Sequence, residues 1–592
     1  MNIRTNLLIR VYLSFGIIFL FAFVILCELI KIQFVEGDKW KNMVKTASRT
    51  VEKTRAMSGY IFSDDRSIVA ASVPIYRVRI SPKFLRTNSA VNEHNLIKII
   101  SGLKRLFPQE ARIPSADSHG LAETFTNKNL LILDDIDEMK FPLLLRNKDF
   151  FRAWSDGWLI LEKKIKRVYP FGNYGEGIIG NQNDSIGGLS NIELNLYDFL
   201  RGVDASQLVE TNAYGDKFYV PIGDTSRPIN GRDIYTSLNI NLQILVHNAL
   251  AKELKTEPAS NGFAAVMEVS TGEIKAIVNF RQIKPNVFIE PDNYIFEAVP
   301  PGNAFLLATY MILLNQNKID TGTNVNVASR MRFSDGTMIS DKPRLPMQMS
   351  VQNAFKSLSG VAAGKFVMDA YAKNPEVFLD QLNALSFNKG LNLPIANVGF
   401  PDFPNTHSIK WHGSSSLVNI ACGNQISLPP LQLLMLYNAV ANNGRMVAPI
   451  IIKQICRNQI PFISIKDRVV NSNICSTQTL NKIQKMLLTS ISDGTEKKSI
   501  HENLFSIAGL ISSSDNSGNS LADKSLKNNR TCFYGYFPAN SPKYSIVIGI
   551  DASKSNSYAN AAAVHRVLEN VTNELFIEDP GMIRNPVQKN IH

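Results

Sequence analysis

Cysteine is scarce in this chain of 592 residues: Cys27, Cys422, Cys456, Cys475 and Cys532 are all there are, and none forms a Cys-x-x-Cys pair. The eight histidines make no cluster at ligand spacing, so no metal site and no cofactor are expected. A disulfide framework is not indicated either, although Cys456 and Cys475 fall in a loop region where they could pair. A run of lysine and arginine of the kind that reads as a nucleic-acid arm is missing despite a formal net charge of +12. The basic character therefore reads as a solvated surface, and no nucleic-acid partner is expected. Low-complexity tracts are missing too, and with 45% apolar and 19% charged residues most of the chain should fold. It is too long for one core, so two or three folded units are expected.

Charge is also lacking from Val11 to Leu26, and apolar character continues past Glu28 to Ile30, which gives about 20 residues, enough to cross a bilayer as a helix. Ile25-Leu26-Cys27-Glu28-Leu29 offers none of the small residues that a signal-peptide cleavage site requires, so residues 11–30 read as an uncleaved signal anchor. Arg4 and Arg10 precede it; Lys31, Lys39, Lys41 and Lys45 follow, partly balanced by Glu28, Glu36 and Asp38. Charge alone does not decide the orientation. Residues 1–10 are expected to stay cytoplasmic and the rest to lie outside, because long domains translocate largely regardless of charge.

Beyond the anchor, residues 31–55 read as a polar, helical stalk. Alternation around Tyr76 to Ile80 predicts a half-buried strand, and helical patterns recur near residues 91–107 and 189–201. Pro221, Gly223, Pro228, Gly231 and Arg232 mark a linker. After it, a helix is expected over Ile240 to Leu254, then a hairpin of Gly262 to Val269 and Ile274 to Phe280 joined through Ser270-Thr271-Gly272-Glu273. The reading is thus a tail (1–10), an anchor (11–30), a stalk and pedestal (31–220), an α/β domain (231–575) and a C-terminal tail (576–592).

Arg167 to Gly172 in the pedestal and Thr236 to Gln243 beyond the linker, with further segments of each region, together resemble the class B penicillin-binding proteins, in particular the division-associated peptidoglycan transpeptidases. Arg167-Val168-Tyr169-Pro170-Phe171-Gly172, Ile178-Ile179-Gly180 and Asn191 to Gly202 resemble the pedestal signature of that family. Thr236 to Gln243, Val266 to Ile274, Gly423 to Gln432, Ala441-Asn442-Asn443-Gly444, Asp493-Gly494-Thr495 and Phe533 to Pro538 resemble successive parts of its transpeptidase domain. The resemblance implies an α/β (α+β) fold, with an antiparallel sheet and helices like those of serine β-lactamases behind an elongated pedestal. It also implies an ectodomain on the outer face of a bacterial plasma membrane, in the periplasm or its equivalent. The first pedestal motif is degraded to Ser58-Gly59-Tyr60-Ile61-Phe62-Ser63-Asp64-Asp65-Arg66-Ser67-Ile68-Val69-Ala70.

Members of that family acylate a serine that opens the core helix, and a lysine one turn on takes its proton. The matching segment here is Pro301-Gly302-Asn303-Ala304-Phe305-Leu306, which puts Asn303 at the nucleophile position and Leu306 at the base position. The Ser-x-Asn position aligns with Leu358, Ser359 and Gly360. Lys-Thr-Gly aligns with Leu510, Ile511 and Ser512. No confident catalytic residue follows from these positions; Ser359, Ser512 and Ser513 remain as hydroxyls that could touch substrate. Displaced Ser-x-x-Lys sets at Ser101 to Lys104 and Ser386 to Lys389 read as surface positions, as does Lys365. His412 before Ser414 to Ser416 is the only hint of a different triad.

Three functions stay open. The leading one is a non-catalytic scaffold of septal wall synthesis that keeps weak contact with peptidoglycan stem peptide or β-lactam. The second is an active D,D-transpeptidase with a weakened or unrecognised site, and the third a peptidoglycan or β-lactam sensor. Septal wall-synthesis proteins and the membrane are the expected partners.

Overall fold

The computed structural model describes residues 3–36, 49–81, 90–112, 131–183, 187–211, 217–220, 228–256, 259–290, 294–328, 330–341, 345–386, 389–395, 397–492, 506–516, 528–552 and 557–578. Two compact units result. One comprises Met1–Met57 with Gly202–Gly231, the other Ser58–Arg201 with Arg232–His592.

In the first unit the anchor segment is a helix, Ile3–Ile30, that closes in a short π-turn, Lys31–Val35. Within it Tyr12–Ile30 is long and apolar enough to cross a membrane and buries nothing against the protein. The helical stalk expected over residues 31–55 is corrected at its far end. Arg49–Thr54 is a strand, paired antiparallel with Ala205–Thr211, which pairs in turn with Lys217–Val220. Lys39, Lys41 and Lys45 lie outside the described residues, as do residues 221–227 of the linker.

In the second unit the predicted strand at Tyr76 to Ile80 is the end of a longer one, Ile68–Ile80, which pairs with both Leu131–Asp137 and Leu159–Val168. This sheet does not stop at the boundary read from sequence. Ile61–Phe62 pairs parallel with Asp233–Thr236, which pairs antiparallel with Ile452–Arg457, so strands from both sides of residue 231 share one sheet. Polar side chains reinforce the joint: Asp64 accepts from Lys275 Nζ at 2.8 Å and from Lys453 Nζ at 2.6 Å. The degraded pedestal motif is therefore still structural. Deeper in the pedestal, Arg167 donates through Nε to Glu193 at 2.8 Å, both side chains being buried, and also to the Gly59 carbonyl.

The predicted helix and hairpin are present as Ile240–Thr256, Ala259–Glu268 and Ile274–Lys284. They belong to a six-stranded antiparallel sheet that runs in the order Val287–Ile289, Ile274–Lys284, Ala259–Glu268, Tyr544–Ala552, Asn528–Phe537, Ala508–Asn516. Alternation along Ala259–Glu268 sends Phe263, Ala265 and Met267 into one core and Ala264 and Val266 into another. Because both faces are covered, the strand reads as a continuous apolar run. Helices Ile240–Thr256 and Ser557–Glu578 cover one face. The other face meets the largely apolar helix Leu306–Asn315 and its neighbours.

The cysteine pair considered at Cys456 and Cys475 is corrected: both are buried free thiols, one in strand Ile452–Arg457 and the other ahead of helix Thr477–Ser492.

Candidate functional site

The positions aligned with the nucleophile and the base open the core helix. Gly302 has φ +58°, a left-handed conformation that favours glycine, and its N–H donates to the Gly423 carbonyl at 3.1 Å. Gly302–Phe305 forms a 3₁₀ turn that runs straight into helix Leu306–Asn315. Asn303 is half-buried, and its Nδ2 donates to the Leu358 carbonyl at 3.3 Å. Leu306 is 0% exposed, packed inside the large apolar cluster. No proton acceptor belongs in that setting. An amide is itself a poor nucleophile, having neither a hydroxyl nor a thiol to ionise.

The second motif position meets the first through that same hydrogen bond. Leu358 has φ +50°, and Ser359 follows as the N-cap of helix Gly360–Tyr371, its Oγ accepting from Ala362 N–H at 2.9 Å. The same hydroxyl donates to Asp341 Oδ2 at 2.6 Å, and the other oxygen of Asp341 accepts from Val361 N–H at 3.2 Å. Ser359 is 0% exposed, so its hydroxyl is fully occupied in capping rather than offered to a ligand. Asp341 was not singled out in the sequence, because a separation of 18 residues from Ser359 hides the contact.

The third position lies on strand Ala508–Asn516, against which the Gly302–Phe305 turn packs. Leu510 is 2% exposed and joins the same cluster as Leu306. Ser512 shares its face of the strand, whereas Ser513 points to the opposite face and bonds Thr531 Oγ1 at 3.1 Å. Of the three serines singled out for substrate, Ser513 is thus turned away from Ser512. Ser512 instead lines a cavity of about 10 Å³, room for a single water, whose walls include Val299, Pro300, Pro301, Arg530 and Tyr534.

Two thiols lie near these segments. Burial pushes Cys422 up to about 12 and Cys532 up to about 12, so both stay protonated at neutral pH and neither supplies a thiolate. Arg530, on strand Asn528–Phe537, escaped sequence reading. It grips Asp551 with Nε at 2.6 Å and Nη2 at 2.8 Å, a buried bidentate pair.

The displaced candidates do not assemble a site. Ser101 and Lys104 are exposed on helix Ala90–Leu106. Phe387 and Asn388 of the Ser386 to Lys389 set lie outside the described residues. Lys365 is half-exposed and pairs with Asp369 at 3.3 Å. Near His412, the Ser415 hydroxyl bonds Asp335 directly and the His412 carbonyl at 3.1 Å, with no imidazole between serine and carboxylate. The Asp493-Gly494-Thr495 segment lies outside the described residues.

Residues 262–572 match the profile of the penicillin binding protein transpeptidase domain. Among curated relatives, the probable peptidoglycan D,D-transpeptidase PbpC of Pseudomonas aeruginosa is 24% identical over 406 residues, 67% of this chain and 67% of that one. The peptidoglycan D,D-transpeptidase FtsI of Buchnera aphidicola is 20% identical over 585 residues, 96% of this chain and 95% of the relative. Of solved structures, penicillin binding protein 2X from Streptococcus thermophilus superposes with a TM-score of 0.70 at 16% identity, covering 90% of this chain and 81% of that one. At such identity the structural likeness speaks for the fold.

Proposed function

Because the chain belongs to the penicillin-binding protein transpeptidase family, we propose that it is a non-catalytic member: a membrane-anchored scaffold of peptidoglycan synthesis at the division septum, its first ten residues cytoplasmic and its bulk outside. One observation carries this reading. Leu306 and Leu510, at the positions where the family places its two lysines, are sealed into one apolar cluster, so the site holds neither a base for a nucleophile nor a cation for a substrate carboxylate. Asn303 and the fully bonded Ser359 add no replacement. Removing any one member of a nucleophile–base unit costs several orders of magnitude in rate, and here the whole unit is substituted.

The test is labelling with a fluorescent penicillin, read on a denaturing gel. No covalent band is expected from the natural chain. A band that unlabelled penicillin competes away would reveal a nucleophile among its residues and overturn the scaffold role in favour of an active D,D-transpeptidase. A catalytically intact member of the family, labelled alongside, serves as the positive control.

A further inference from the structure

Two buried polar atoms without a hydrogen-bond partner line the same small cavity. Ser512 Oγ is one, in a residue 3% exposed. Arg530 Nη1 is the other, in a residue 5% exposed whose two remaining nitrogens are both committed to Asp551. Strand register explains how they meet. Ser512 sits opposite Cys532 and Arg530 lies two residues from Cys532, so all three share one face of the sheet, with Arg530 on the diagonal from Ser512. Pro300 and Pro301, just ahead of Asn303, close the far side. Proline has no N–H to give, and no carboxylate lines the space.

The guanidinium nitrogen can only donate, and the hydroxyl can turn its proton inward. Left unmet, each such buried donor has given up its water without a replacement, which destabilises the fold. The two lining side chains that could accept, Cys532 and Tyr534, are bonded to each other and leave these two donors unmet, and the cavity has room for one atom. We propose that the Ser512–Arg530 cavity binds a small monoanion, either a halide such as chloride or one oxygen of a carboxylate, held by the Arg530 Nη1 hydrogens and the Ser512 hydroxyl. Asp551 neutralises the guanidinium as a whole, so the site works through aimed N–H and O–H groups rather than net charge. That selects a single acceptor atom and excludes bulky anions. The inference rests on geometry alone and holds whatever the penicillin experiment returns.

The full-length protein in detergent is melted in sodium isethionate, sodium chloride and sodium acetate at equal ionic strength. Isethionate, a sulfonate with neither halide nor carboxylate and too large for the cavity, serves as the blank. A half-saturation near 10 mM raises Tm at 100 mM anion by about 1–2 °C over isethionate. Ser512→Ala is expected to abolish the rise while melting within about 1 °C of the natural chain in isethionate. Arg530→Lys, which keeps the charge and loses Nη1, should abolish it as well; should that variant fail to fold, the serine variant decides alone. A rise with both salts supports the shared chemistry, with chloride only an inorganic ion, and with acetate only a carboxylate end. Equal Tm in all three salts, or a rise that persists in Ser512→Ala, overturns the proposal in favour of a neutral water.

Discussion

Leu306→Lys restores the family's base in name and should wreck the site in fact. The position is 0% exposed among apolar neighbours. The cluster packed against it is apolar, and Asp341, whose charge reaches Tyr310 one turn along the same helix, is committed to the Ser359 hydroxyl and the Val361 N–H, so burial is expected to depress the lysine's pKa to about 6, against about 10.4 in the unfolded chain. At pH 7 the folded state must hold it neutral, at a cost of about 4–5 kcal/mol. The sign follows from proton binding. Between about pH 6 and 10 the unfolded chain carries the extra proton, so stability rises with pH and the deficit shrinks by about 1.4 kcal/mol per unit, to about 2 kcal/mol at pH 9. Denaturant midpoints of natural and variant proteins at both pH values measure this. Leu306→Met, which conserves volume, should lose less than about 1.5 kcal/mol at either pH. A lysine variant as stable as the natural protein at pH 7, or a deficit that does not shrink at pH 9, would mean that water or a carboxylate reaches residue 306. The argument for a sealed site would then fail.

Ser359→Ala removes both the cap of helix Gly360–Tyr371 and the partner of Asp341; a loss of about 1–3 kcal/mol is expected from denaturation, and a loss below about 0.5 would show that the hydroxyl is not committed as described. Asp551→Asn strands a buried guanidinium and should cost about 3–5 kcal/mol, whereas replacing Arg530 and Asp551 together by apolar residues should recover most of it in the same assay. Burial holds His565 below the usual histidine range, so its contribution is complete above about pH 6.5 and is lost as pH falls through the depressed folded-state value. His565→Phe should accordingly flatten the acid limb of a Tm–pH profile; an unchanged slope below pH 6 would place the sensitivity elsewhere.

What could be read from the sequence followed from chemistry at fixed spacing. Asn303 and Leu306 stand three apart at the head of one helix, so their inability to ionise was visible without coordinates. The hairpin at Val266 to Ile274 was legible because its apolar runs are bounded by Ser270-Thr271-Gly272-Glu273, where Gly272 adopts φ +81°. Long-range pairing was not. Arg-Thr-Val-Glu-Lys-Thr at residues 49–54 carries helix-like polarity, and only its partner strand Ala205–Thr211 makes it a strand. Ser512 and Ser513 look alike in sequence, yet one step along a strand turns a side chain to the other face. Leu358 shows how a motif frame can shift: its left-handed backbone separates an exposed Ser357 from a capping Ser359, so Ser357-Leu358-Ser359 also fits a Ser-x-Asn pattern with a single substitution.

The sheet shared across residue 231 has a consequence for the order of folding. Ile61–Phe62 needs Asp233–Thr236 beside it, and that strand needs Ile452–Arg457 on its other edge. The last of these leaves the ribosome about 390 residues after the first, roughly 20–80 s later at ordinary elongation rates. For that interval the early strands wait with an open edge, and the pedestal cannot finish as an independent foldon. A chain released before residue 457 has no means of closing that sheet, so premature truncation ahead of that strand is expected to disable the first half as well.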